Sequence, residues 1–321
     1  MEIGKILIIV DMEGIIGVAD MKDVDANAEL AYKEISIIIS KLKSYNITHI
    51  TVCNIHNDGS CLNSEKINLL GAELVQGVHN LVPIINQFSI SFMIGFHCKR
   101  NGGGRFGHTF RNDIVKMSYG NREIGEVGAY YRWLILEKVP VVMISGEGDF
   151  QEEIKEYGCF THVILKQLKT EKDINEEYLK LERIIQQVVN LIRQDNITVP
   201  LVPVEELFVK IDNSDKYCML ENNFKVCSNK NCFVFLSIKA FFKVLYRFAT
   251  ELNLSTEKIY MQNIKFISQV KRTNYTKQEL TDMLYMYLKR DILEINYDDR
   301  RAIANIVGIS YEDFLCYQKV L

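Results

Sequence analysis

Residues 5–14 read KILIIVDMEG. Ile6 to Val10 form an unbroken apolar run. A strand with one wet face would alternate apolar and polar residues, whereas a parallel strand covered on both faces reads as a continuous run. The run ends in two carboxylates, Asp11 and Glu13, followed by Gly14. Carboxylates are costly to bury unless something pairs with them, so this strand end calls for a cation. Side chains two apart on an extended chain point the same way. Asp11 and Glu13 therefore face one place while Met12 turns away.

Working outward, further short apolar runs alternate with helical patterns. Strands are expected at 48–53, 90–96 and 141–145, and helices at 29–44, 126–137 and 176–193. In the first helix Ala31, Ile35, Ile38 and Leu42 recur at helical spacing and form its buried face. DIVKMSYGNREIG, residues 113–125, reads as a hairpin with its turn at Gly120-Asn121. This alternation predicts an α/β fold with a mostly parallel sheet flanked by helices. VPLVPV at 199–204 marks a change of pattern. The chain thus divides into an α/β domain over 1–198, a smaller α+β region over 199–252 and a helical C-terminal extension over 253–321. In the extension, Thr276 and Glu279 have capping-box spacing.

A chain of 321 residues with 48% hydrophobic content can bury a large core. A net charge of -3 offers neither a basic face for nucleic acid nor one for an acidic membrane. No stretch reaches the roughly 18–20 apolar residues of a membrane span, and no secretion signal opens the sequence. Eight cysteines at irregular spacing, without a CxxC pair, read as reduced thiols in a cytoplasmic protein.

Of the six histidines, three fall where the strands end. His56 follows the second strand in CNIHNDG, His97 follows the third in MIGFH, and His108 comes eleven residues later in GRFGHTF. In an open parallel sheet, ligands bind outside the carboxyl ends of the strands. Asp11, Glu13, His56 and His97 are therefore delivered to one edge, and Glu126, opening the helix after the hairpin, could join them. Taken singly, each has a plainer reading: turn former, loop histidine, near-core histidine or solvated first-turn acid. Together they make a mixed carboxylate and imidazole set of the kind that zinc accepts, with enough donors for a two-metal hydrolytic site. GGGR at 102–105 has the glycines of a phosphate nest but lacks the Lys-Ser/Thr end of a P-loop. His49, His79 and His162 read as structural or exposed.

DMEGIIGV resembles the DMEGISG signature of the DppA-like D-aminopeptidases, a family of zinc metallopeptidases. The likeness continues in order over residues 5–150. CNIHNDG is similar to the family's NDxH-type loop, and GFH followed by HTF to its GYH…HS segment. IGEVGAYY is similar to VGELGLNA, and VPVVMISGEGD to VPVLMVAGDD. The resemblance implies that Asp11 bridges two Zn²⁺ ions, that Glu13, His56, His97 and Glu126 supply the other ligands, and that His108 is catalytic. It further implies an aminopeptidase for short peptides with N-terminal D-amino acids, D-alanine in particular, working as a ring-like homo-oligomer. Asn54 stands where the family loop usually has Asp, GEGD replaces GDD, and the helical extension has no assigned counterpart. Two other readings compete: a catalytically inactive homologue that binds a peptide or partner in the same cleft, and a nucleotide-binding protein that uses GGGR.

Overall fold

The computed structural model describes residues 4–22, 24–57, 59–110, 114–155, 159–164, 168, 170–194, 196–211, 225–226, 232–235, 237–239 and 241–242. The expected helical extension over 253–321, with its capping box, lies outside the described residues. The elements named here all belong to one compact unit, Met1–Leu245.

The apolar run becomes β1 (Lys5–Val10), whose residues from Ile6 to Val10 are fully buried. α1 (Val24–Lys43), β2 (Ile50–Asn54), α2 (Ser64–Leu70), β3 (Glu73–Gln76), α3 (Val78–Leu81) and β4 (Phe88–His97) follow. β5 (Ile114–Tyr119) and β6 (Arg122–Glu123) form the expected hairpin, with Gly120 at φ 54° in its turn. Then come α4 (Glu126–Leu136), β7 (Val141–Glu147), β8 (Phe160–Ile164), α5 (Glu171–Arg193), β9 (Leu207–Ile211), β10 (Lys225–Val226) and β11 (Cys232–Phe235).

Six strands form a parallel sheet in the order β3-β2-β1-β4-β7-β8. The chain steps outward from β1 to β3, then returns to the other side of β1 and steps outward again from β4 to β8. The direction of winding reverses between β1 and β4, the kind of switch point at which open parallel sheets bind ligands. Ile6, Ile8 and Val10 pack in one apolar cluster with Ile35, Ile38 and Leu42 of α1 and Leu181, Ile185 and Val188 of α5. Leu7 and Ile9 point the other way, toward the face where α4 meets β4 and β7. The edge of β4 against Tyr130 of α4 is an edge-to-face contact of Phe96, with ring centroids 5.6 Å apart.

A second, antiparallel sheet runs β10-β11-β9-β5-β6. It joins the hairpin of the first 198 residues to strands of the 199–252 stretch, which therefore share one sheet. The Tyr119 hydroxyl donates to Pro203 O at 2.6 Å and accepts from Glu205 N at 3.0 Å, which pins the VPLVPV segment. α5 starts at Glu171, five residues before its expected start at 176, because Thr170 and Asp173 close a capping box. No described helix is long and apolar enough to cross a membrane.

Candidate metal centre

The six singled-out residues meet at the switch point. Asp11 leaves β1 with its amide still donating to Ile94 O of β4 at 2.9 Å. Gly14 donates to Gly95 O at 2.7 Å, and a Cβ on Gly14 would collide with the Phe96 carbonyl. The DMEG turn can therefore lie against the end of β4 only with glycine at its fourth position. His97 is the last residue of β4, His56 lies just beyond β2, and Glu126 opens α4. Asp11, Glu13, His97 and Glu126 are all buried, while His108 keeps 27% of its side-chain surface exposed.

Their contacts interlock. His56 Nδ1 lies 2.9 Å from Glu13 Oε2 and 3.3 Å from Asp11 Oδ1. His97 Nε2 lies 3.7 Å from Asp11 Oδ2 and 3.2 Å from Glu126 Oε1. His108 Nε2 lies 3.6 Å from Glu126 Oε1 and 3.9 Å from Glu13 Oε1, and its ring stacks on His97 at 4.1 Å. Three donor groups, each with its ligand atoms within 4.8 Å of one another, can be drawn: Asp11/Glu13/His56, Asp11/His97/Glu126 and Glu13/His97/His108. The first two share Asp11.

Two atoms at the centre are unsatisfied. Asp11 Oδ2 and His97 Nε2 are buried without a hydrogen-bond partner. His97 Nδ1 donates to Cys98 O at 2.8 Å, which turns Nε2 inward. Buried orphans of this kind are rare, and a divalent cation between carboxylate and imidazole would satisfy both. Three carboxylates and three imidazoles form an oxygen and nitrogen set suited to zinc.

The electrostatics agree. Burial and the adjacent Glu13 charge push Asp11 up to about 7. Burial also drives Glu13 upward, but the His56 hydrogen bond and charge outweigh it and hold Glu13 well below the usual carboxylate range. Burial works against a charged His56, yet Asp11 and Glu13 raise it to about 11. Burial likewise opposes a charged His97, and Glu126 leads the neighbours that raise it to about 10. Without a metal, protons on His56 and His97 offset the neighbouring carboxylates. A metal ion would displace them.

A sequence profile described as D-aminopeptidase matches residues 4–216. The chain belongs to the D-aminopeptidase family. That membership makes it a peptidase of the metallo-aminopeptidase class. Among solved structures, the Zn-dependent D-aminopeptidase DppA from Bacillus subtilis, a self-compartmentalizing protease, is similar with a TM-score of 0.63 at 20% identity. The alignment covers 78% of this chain and 98% of that one, and it shows a shared fold. No curated protein matches the chain.

Around the six residues stand others whose part the sequence does not announce. Asn54 holds the His56 loop: its Nδ2 donates to Gly59 O at 2.9 Å and its Oδ1 accepts from His56 N at 3.2 Å. An aspartate could not make the first of these bonds. Glu147, the last residue of β7, accepts from the amides of Arg105 and Phe106. These GGGR-loop N–H groups thus cradle a carboxylate of the chain itself rather than a phosphate, and they fix the loop that carries His108. Glu153 accepts from Gly125 N at 2.6 Å and Gly128 N at 3.1 Å. It satisfies the start of α4, where no side chain of the helix's own cap does, and so fixes the turn that presents Glu126. GEGD at 146–149 was the only visible signal for Glu147, as a departure from pattern. Glu153 offered none. The remaining histidines lie elsewhere: His49 is exposed, His79 half-buried, and His162 buried against Glu177.

Proposed function

We propose that this chain is a di-zinc aminopeptidase that removes N-terminal D-amino acids, D-alanine preferred, from short peptides. The observation that carries the reading is the pair of donor triads sharing Asp11. One ion would be held by Asp11, Glu13 and His56, the other by Asp11, His97 and Glu126, with Asp11 bridging. The D-aminopeptidase description of the family supports the substrate class. The zinc dependence of the DppA neighbour supports the metal.

Bound zinc would supply Lewis-acid polarisation of a carbonyl and lower the pKa of water toward neutrality. The chain's own residues do the rest. The buried carboxylates of Asp11, Glu13 and Glu126 would hold the ions and so limit where the free amino group and scissile carbonyl of a peptide could lie. His108 Nδ1 donates to Phe106 O at 2.8 Å, so Nε2 faces the site. Partly exposed and anchored by its stack on His97, His108 is placed to move a proton at Nε2 or to hydrogen-bond the developing oxyanion. General acid–base help of this kind is worth about 10² to 10⁴ in rate.

The self-compartmentalizing description of the neighbour supports a homo-oligomer, ring-like, that encloses its sites. The free thiols of Cys53, Cys61, Cys98 and Cys159 support a reducing, cytoplasmic setting. The test is an assay of zinc-loaded protein against paired D- and L-aminoacyl dipeptides. Cleavage of D-Ala-D-Ala in preference to L-Ala-L-Ala is expected; cleavage of L-peptides alone, or of neither, would contradict the reading.

A further inference from the structure

We infer that Phe110 is a positioning residue for Glu126. It acts through its backbone N–H, which its ring holds in place. The Phe110 amide donates to Glu126 Oε1 at 2.6 Å. Phe110 has φ 53°, a left-handed conformation that is unusual for a bulky side chain and persists only when the surroundings impose it. Here the ring imposes it. Its centroid lies 5.8 Å from Tyr130, 5.3 Å from Phe241 and 6.2 Å from Phe242. Phe242 in turn stacks on Trp133 at 4.3 Å and meets Tyr130 at 4.8 Å.

The spacing on α4 explains the coupling. Glu126 and Tyr130 are four residues apart on a helix and share a face. Phe110 spans both, its amide on the carboxylate and its ring on the tyrosine one turn later. It therefore locks one oxygen of Glu126 in direction while α4 is held at the same height. Thr109, one residue before it, accepts from Arg100 N at 3.3 Å and ties the two arms of the loop together. The tripeptide His108-Thr109-Phe110 thus carries a candidate proton carrier, a loop tie and the orienting donor for a proposed ligand. Partners that orient ligating carboxylates are worth about 10- to 100-fold in metal affinity.

This inference rests on the two-ion reading, so the experiment separates the two. Metal-free protein is titrated with Zn²⁺ in competition with a chromophoric chelator, and both binding steps are followed. Wild type is expected to take up two ions. Phe110→Ala is expected to weaken one step by about 10- to 100-fold and leave the other, held by Asp11, Glu13 and His56, unchanged. Phe110→Tyr, which keeps the ring, restores the affinity. Phe242→Ala, which removes one of the rings packed around Phe110, shifts the same step in the same direction and serves where Phe110→Ala does not fold. Two ions in wild type with both steps unchanged in Phe110→Ala would overturn the positioning role, as would equal weakening of both steps. Fewer than two ions in wild type would overturn the two-ion reading instead. If a single ion binds, its loss of affinity in Phe110→Ala still supports the positioning role and its constancy still overturns it.

Discussion

Among the described residues, histidine is buried against carboxylate in two places, and the outcomes are opposite. On β8 and α5, His162 Nε2 lies 3.0 Å from Glu177 Oε2, and Lys180 occupies the other carboxylate oxygen at 2.7 Å. Burial wins there and lowers His162 below its ordinary value despite Glu177. At the β1–β4 switch point, burial loses: His97, facing Glu126, Asp11 and Glu13, is raised to about 10. One carboxylate, already shared with a lysine, does not offset the desolvation of an imidazolium; three do. The first place is a single histidine–carboxylate pair that joins a strand to a helix, with His162 Nδ1 left buried without a hydrogen-bond partner. The second gathers three carboxylates around its imidazoles and leaves Asp11 Oδ2 and His97 Nε2 3.7 Å apart, both buried without a hydrogen-bond partner, and that juxtaposed pair of donors is what a metal would satisfy.

The comparison breaks most visibly at Asp11. Asp11→Asn is expected to lose both zinc ions and to bring peptidase activity below detection, whereas Glu177→Gln keeps both; metal analysis of the two purified variants checks it. His108→Ala sharpens the division within the centre, with activity falling by about 10² to 10⁴ at unchanged metal content. A variant at wild-type rate would remove His108 from the chemistry. Glu153→Gln replaces the carboxylate that satisfies Gly125 and Gly128 with a weaker acceptor, and zinc affinity is expected to fall by about tenfold in a chelator competition.

The smallest effect belongs to the His162–Glu177 pair. His162→Gln is expected to cost about 1–3 kcal/mol of stability with no change in turnover, as read by denaturant unfolding and the peptide assay. The pH dependence gives its sign. Because the folded value of His162 lies below its ordinary 6.5, the unfolded chain binds a proton near pH 6 that the folded chain refuses. His162 therefore withdraws stability as pH falls through about 6.5 and imposes no such penalty above it. In His162→Gln that part of the slope disappears.

The contrast also explains what was legible in the sequence. β1, β4 and β7 show as continuous apolar runs because both their faces are buried, and the hairpin shows through Gly120-Asn121. α2, β3 and α3 do not: α2 buries only Ile67 within seven residues, too little for a helical period, and β3 is a four-residue edge strand with exposed ends. β8 is only five residues long, with an interrupted pattern of burial. In the centre, Asp11, Glu13, His56 and His97 are legible because strand ends announce them, and Glu126 because a helix begins there. Glu153 is not, since its two amide contacts come from residues 25 and 28 positions away. Phe110 is not, since its contribution is a backbone N–H that every residue but proline possesses. Position after a strand can be read from a sequence; the hydrogen bonds that aim a side chain are made by the fold.

The central claim is that Asp11 bridges two ions. Anomalous scattering at the zinc edge from crystals of zinc-loaded protein tests it most directly. Two peaks about 3.5–4 Å apart are expected, with the Asp11 carboxylate between them, Glu13 and His56 on one side and His97 and Glu126 on the other. A single peak, or two peaks that do not share Asp11, would contradict it.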